Sequence, residues 1–193
     1  MNIALIGMRG AGKSNISRRL SLFTKRPVLS TDLLVRYEQE GQTIAEIVDQ
    51  SPRGWQAFRD LEYQVVHKAS MLDEAIIDCG GGVIVDLNER GEEIYSSRKV
   101  GALKRTGVIV WLRGDITKLA EKAVAKDPNR PTLDATQSLE ALMQHRLPFY
   151  EKAADIVVDI DNKKRKQLAE EILTRTSESA WQDLVKRRGH ETG

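Results

Sequence analysis

The sequence predicts an α/β fold in which helices cover both faces of a five-stranded parallel sheet. Three observations carry this expectation. Apolar, β-branched runs of strand length recur along the chain, as in Ile3 to Ile6 and Val108 to Leu112. Stretches with helical spacing of apolar residues fall between them, and that alternation means β-α-β units with the ligand site at the carboxyl ends of the strands. The octet GMRGAGKS, residues 7 to 14, follows the first run directly and precedes a helical pattern.

The elements follow in order. Ile3 to Ile6 reads as the first strand, and Ile16 and Leu20 mark the first helix. Pro27 to Leu29 is the second strand, after which Asp32 stands where it could cap a helix over Leu33 to Tyr37. Trp55, Phe58, Leu61, Val65, Val66, Ala69 and Leu72 recur at helical spacing, and Ala75 to Cys79 is a further strand. Val108 to Leu112 precedes a helix carrying Ile116, Leu119, Ala120, Ala123 and Val124 behind the capping candidate Asp115. Ile156 to Val158 is the last strand. From about Thr174 the chain is polar but holds Trp181, Leu184 and Val185, which predicts a helix docked at the end of the domain. No internal repeat or low-complexity segment interrupts the series.

Composition bounds the function. The chain has 193 residues, of which 40% are hydrophobic, enough for the core of one domain. Charged residues make up 30% yet the net charge is only +2, which argues against a nucleic-acid or membrane binder. The basic runs Lys163 to Lys166 and Lys186 to Arg188 read as solvated helix faces. Cys79 is the single cysteine, so an internal disulfide is excluded and a reducing compartment is favoured. The first apolar stretch is too short for a signal sequence and no run reaches membrane-spanning length. The expectation is a soluble, cytoplasmic monomer. Cys79 reads as a small core residue, and His67, His145 and His190 lack metal-ligand spacing.

Gly7, Gly12, Lys13 and Ser14 match the phosphate-binding pattern G-x-x-x-x-G-K-S/T between a strand and a helix. Glycines let backbone amides face a phosphate, and the helix start adds its positive dipole end. Gly10, Ala11, Gly12, Lys13, Ser14 and Asn15 are therefore the expected nucleotide-binding residues, with Lys13 between the β- and γ-phosphates and the Ser14 hydroxyl on magnesium. The spacing of Gly7, Gly10 and Gly12 is wrong for a dinucleotide fingerprint. Asp78 to Gly81 reads D-x-x-G, as a GTPase would, but Asn162-Lys163-Lys164-Arg165 lacks the aspartate of N-K-x-D that guanine recognition needs. A mechanical ATPase needs more chain for its output, so the size points to a small-molecule kinase.

Six motifs then fall in a telling order: GMRGAGKS, STD at 30 to 32, FRDLE at 58 to 62, GGG at 80 to 82, NRPTL at 129 to 133 and RLPFY at 146 to 150. Together they resemble the shikimate kinase family over about residues 1 to 173, leaving 174 to 193 as an extension. AADIVVD at 153 to 159 is similar to the family's last strand, whereas Val83 to Gly107 is longer than usual. The resemblance implies a three-layer P-loop kinase fold with a mobile lid. It also implies ATP-dependent, magnesium-dependent phosphorylation of the 3-hydroxyl of shikimate.

By the same resemblance Arg59 and Arg146 clamp the substrate carboxylate, a task suited to the planar guanidinium fork. Glu62, one turn from Arg59, can hold that guanidinium, although without the resemblance an ordinary surface pair is the preferred reading of the spacing. Gly80, Gly81 and Gly82 form the substrate loop, Asp32 faces the reacting hydroxyl, and Arg130 is the lid arginine over the γ-phosphate. Two positions depart from the family pattern. Ser30 stands where its first aspartate usually lies, and Arg9 replaces a residue that is often Met or Pro. Asp78, at a strand end, either supplies the missing magnesium-side carboxylate beside Ser14 and Asp32 or merely caps the glycine turn. A kinase of another hydroxy acid such as gluconate, or a non-catalytic nucleotide-binding module, remains open at this level.

Overall fold

Main-chain hydrogen bonding in the computed structural model, which describes residues 1–126 and 138–177 with the isolated positions 182 and 186, gives fifteen elements. They run β1 (Asn2–Ile6), α1 (Lys13–Thr24), β2 (Val28–Ser30), α2 (Thr31–Glu38), α3 (Ile44–Gln50), α4 (Gly54–Ser70) and β3 (Ile76–Asp78). The chain continues with β4 (Val85–Leu87), β5 (Glu93–Tyr95), α5 (Ser97–Thr106), β6 (Gly107–Arg113), α6 (Ile116–Lys126), α7 (Leu139–Ala153), β7 (Ile156–Asp159) and α8 (Arg165–Arg175). The order β2-β3-β1-β6-β7 makes one parallel sheet, and β4 pairs with β5 in a separate antiparallel hairpin.

All five expected strands are present, each with its ends within one residue of the apolar run. β1 and β3 are buried throughout and β6 is buried up to Arg113, because helices flank the sheet: α1 packs on α8, α4 on α5 and α6 on α7. A smaller cluster of Val35, Ile47, Phe58 and Val65 joins α2, α3 and α4. The chain passes from β1 to the edge strand β2, returns to β3, then crosses β1 to reach β6. Connections thus leave β1 and β3 in opposite directions, and a crevice opens between their carboxyl ends.

Some local expectations need correction. The helix after β2 begins at Thr31, and its cap is Ser30, whose hydroxyl accepts from Leu33 N at 3.5 Å; Asp32 lies inside the first turn. Asp115 does cap α6, accepting from Lys118 N at 2.9 Å. Leu72 and Val124, counted as core by spacing, are about half exposed. Leu72 falls beyond the end of α4. The β4–β5 hairpin was not anticipated, nor was α3, despite a complete Thr43–Glu46 capping box. Arg130 with its lid, and the extension from 178 apart from positions 182 and 186, lie outside the described residues. Among the described residues no helix is long and apolar enough to cross a membrane.

The strand that leads into the phosphate-binding loop is fixed at its start. Asn2, fully buried, donates from Nδ2 to Leu72 O at 2.6 Å and Thr106 Oγ1 at 3.2 Å, while its Oδ1 accepts from Ala75 N at 2.9 Å. Replacing Asn2 with Ala leaves a buried amide and a carbonyl without partners, each worth about 1–3 kcal/mol. Urea unfolding of Asn2→Ala is expected to show a loss of about 2 kcal/mol or more. Unchanged stability would mean that the strand start is held by its ladder alone.

Candidate active site

The phosphate-binding loop takes its shape from two glycines. Gly10 has φ 83°, and a Cβ there would lie 2.6 Å from Leu119 O of α6. Gly12 has φ 81° and stands as the left-handed N-cap of α1, with no side chain to satisfy the first amides of the helix. These amides are the natural seat of an anion. Lys13 folds back on the loop, its Nζ donating to Gly7 O at 2.6 Å and Met8 O at 3.1 Å. The loop and the first turn of α1, Gly10 through Ile16, form one wall of a cleft of about 490 Å³. Asp78 and Gly80 at the end of β3, Lys122 of α6, and Lys163 and Arg165 at the start of α8 are among the residues that face it. The size suits a small-molecule ligand.

Asp78 ends β3 in register with Ser30 of β2 and Leu5 of β1. It is buried, and burial pushes its carboxyl above the usual range. A hydrogen bond from Ser14 and the nearby Lys13 pull it back, while the charge of Asp32 adds repulsion. Ser14, Asp32 and Asp78 therefore converge, although no group of three or more carboxylate, His or Cys ligands occurs among the described residues.

A second pocket opens beside the cleft, and both share Arg9, Asp32 and Gly81. Arg59 and Arg146 line it with Trp55, Phe58 and Leu142. Arg59 is buried, contrary to the surface-pair alternative: Nη1 donates to Glu62 Oε2 at 2.9 Å and to Gly82 O at 3.2 Å. Its Cζ lies 5.8 Å from the Trp55 ring centre and 5.5 Å from that of Phe58. Lys99, wholly buried on α5, donates to the same Glu62 oxygen at 2.7 Å. Burial pushes the Glu62 carboxyl up, but Lys99 and Arg59 outweigh it and hold the group below the usual carboxylate range. Arg146, from the middle of α7, binds Glu93 with two nitrogens, Nε at 2.7 Å and Nη2 on Oε1.

The glycine triplet accommodates these side chains. A Cβ on Gly80 would run into Asp32 Oδ1, and one on Gly82 would lie 2.7 Å from Arg59 Nη1. Gly81 offers its carbonyl to the hydroxyl of Tyr150 at 2.6 Å, and Tyr150 stacks on Trp111 with ring centres 5.5 Å apart. Gly80 N donates to Thr31 Oγ1 at 2.8 Å, pinning the β2–α2 corner to the triplet. Of the positions singled out from sequence, the structure gathers the loop residues, Asp32, Asp78, the triplet, Arg59 and Arg146 around one double cleft. Arg130 is outside the described residues. Sequence reasoning missed Thr31, Glu93, Lys99 and Tyr150, although Thr31 and Tyr150 sit within motifs already quoted.

Comparisons with known proteins point to one family. The shikimate kinase family model matches residues 9–177. A shikimate kinase of Leptospira borgpetersenii is 42% identical over 172 residues, covering 89% of this chain and 96% of the relative. One of Leptospira biflexa is 42% identical over 173 residues, covering 90% and 94%. Among solved structures, the shikimate kinase from Acinetobacter baumannii in complex with shikimate superposes with a TM-score of 0.75 at 27% identity, over 90% of each chain.

The buried ions give a test that is independent of any ligand. Lys99→Met removes one of the two cations on Glu62 and leaves a buried carboxylate undercompensated, a change that costs about 3 kcal/mol. Denaturant unfolding is expected to show that loss, with Arg59 alone unable to make it good. A variant as stable as the parent would mean that Lys99 is dispensable to the pocket.

Proposed function

The chain belongs to the shikimate kinase family, and from that premise we propose that it transfers the γ-phosphoryl group of ATP to the 3-hydroxyl of shikimate, giving shikimate 3-phosphate and ADP. The observation that carries the reading is the shared wall of the two clefts. A nucleotide on the glycine loop and an acid on the paired arginines would meet at Asp32, which borders both. Arg59 and Arg146 supply two guanidinium forks for the acid, and the triplet Gly80, Gly81 and Gly82 supplies backbone for the ring hydroxyls.

In this reading Gly10, Ala11, Gly12, Lys13, Ser14 and Asn15 hold the phosphates. Lys13 exchanges its two loop carbonyls for phosphate oxygens and carries fixed positive charge to the transferred group. Asp32 orients the acceptor hydroxyl and takes its proton late, as a loose transition state requires. Ser14, Asp32 and Asp78 offer a hydroxyl and two carboxylates, hard oxygen donors of the kind that fit magnesium or its waters. When bound, the ion would neutralise charge on the phosphate oxygens. Arg130 enters on the sequence resemblance alone, as a residue that would stabilise the spreading charge. The functional unit is assigned to residues 1–173, with 174–193 an extension, and the protein is assigned to the cytoplasm as a monomer.

Acceptor-dependent ADP release tests the whole proposal. Shikimate is expected to stimulate release, while gluconate, quinate and nucleoside monophosphates are not. Lys13→Ala should lower the rate by orders of magnitude with its fold intact. Stimulation by gluconate rather than shikimate would replace the acceptor, and nucleotide binding without any acceptor effect would make the chain a binding module.

The metal side has its own test. Asp78→Asn is expected to raise the magnesium concentration for half-maximal activity, and adding Ser30→Asp to restore much of the loss. If Asp78→Asn leaves magnesium dependence unchanged while Ser30→Asp alone improves it, Asp78 is a structural cap.

A further inference from the structure

The position between the two clamp arginines already holds a carboxylate. Glu93, the first residue of β5, is buried and accepts two hydrogen bonds from Arg146, while its reach to Arg59 Nη2 is long at 3.5 Å. Arg59 keeps a buried Nε with no hydrogen-bond partner among the described residues. Resting on the functional reading above, we propose that Glu93 is an internal stand-in for the acceptor's carboxylate, exchanged for it on binding, so that the β4–β5 hairpin favours acceptors that carry an acid.

Charge balance argues for exchange rather than addition. Arg59, Lys99 and Arg146 face Glu62, Asp86 and Glu93 in one network of ion pairs, three formal charges of each sign. At its rim Arg98 and Asp60 join it, and the mostly exposed Arg53, which water can screen, pairs with Asp60 from outside. A fourth carboxylate would leave a net buried negative charge, which is costly in a medium of low dielectric. Replacing Glu93 by a ligand carboxylate keeps the network neutral. A neutral polyol has no such replacement to offer and would leave Arg146 uncompensated.

Space argues the same way. The arginine pocket has a volume of about 60 Å³, well below the roughly 300–1,000 Å³ usual for ligand sites. Glu93 backs two of the residues that line it, Arg59 and Arg146, so its withdrawal would free both guanidinium groups to turn towards an acceptor. The hairpin is built to permit this. Its root is anchored by Asp86, which accepts from Ser96 at 2.6 Å and from Arg98 at 2.8 and 2.9 Å. Glu93 instead pairs with Leu87 at the tip end, next to the exposed residues Glu89 to Glu92. The two strands join no other sheet, and an isolated ribbon is marginally stable by itself. A ligand carboxylate is also free of the tether that keeps Glu93 distant from Arg59, so it can approach both guanidinium groups.

The exchange is tested by calorimetry on the parent and Glu93→Gln with shikimate and with its methyl ester, which keeps the ring and lacks the charge. Removing the competitor is expected to tighten shikimate binding about tenfold, as for any ligand freed from a closed competing state, and to tighten the ester much less. In the parent, shikimate should accelerate amide exchange in residues 88 to 95, a readout that does not depend on the variant's folding. Equal or weaker shikimate binding by Glu93→Gln, or hairpin amides that slow on binding, would overturn the exchange and make Glu93 a positioning residue for Arg146. Absence of shikimate binding to both proteins would bring down the functional reading, and the exchange with it.

Discussion

One carboxylate oxygen of Glu62 holds two cations, and the arginine pocket depends on that pairing. Lys99 comes from α5 and Arg59 from the same helix as Glu62, so α4 and α5 are locked at the depth where the pocket lies. Burying an arginine is costly unless its hydrogen bonds and charge are met. Glu62 meets them from one helical turn away, and both side chains line the cavity. A cation that is desolvated and fixed before a ligand arrives loses little freedom on binding it. The pair therefore spends stability on preorganisation, and the hydrophobic edges of Trp55 and Phe58 beside the guanidinium keep water from screening it.

The glycine triplet acts through what it leaves out. Its three residues were expected, by resemblance, to form the substrate loop. In the fold, two of the three missing Cβ atoms make room for Asp32 and Arg59, the side chains given catalytic and clamp roles in the proposed function. The third residue lends its carbonyl to Tyr150, which is stacked on Trp111 in the central sheet. The same turn thus spaces two polar side chains and ties their position to the core. Close packing transmits that constraint: a shift of β6 would move Tyr150 and, with it, the turn.

How legible each feature was in the sequence follows from where its information resides. The five strands of the sheet were readable because parallel strands covered on both faces produce unbroken apolar runs. The phosphate loop was readable because its chemistry is carried by consecutive backbone groups whose glycine spacing is local. The β4–β5 hairpin was not, since three residues per strand give too little periodicity to register. Glu93 and Lys99 sit in NERGEEIYSSRK, a stretch dense in charge, and nothing local marks which of its charges becomes buried. For Arg59 and Glu62 the spacing gave the pair, yet burial came from α5 and the triplet, elements distant in sequence. Asp32 was the cap expected from the sequence, and the extended backbone of Ser30 at the strand end gave that place to the serine.

Parallel register bears on how a missing carboxylate can be replaced. Ser30 and Asp78 are the last residues of β2 and β3 and pair directly in the ladder, with Leu5 of β1 on the far side of Asp78. Residues at one level of a parallel sheet point to the same face, and neighbouring strands lie about 4.8 Å apart. A carboxylate moved from the Ser30 position to Asp78 therefore stays at the same height above the sheet and shifts by one strand spacing towards β1. That is the direction of the phosphate loop, and Asp78 there faces the same cleft as Ser14. A residue acting on a metal through water tolerates such a shift better than a direct ligand, because the intervening water can re-aim its hydrogen bonds while the charge is retained. In the proposed reading the strand-end aspartate and the capping serine are thus two halves of one exchange. The serine satisfies the helix start that an aspartate could have capped, and the neighbouring strand supplies the charge.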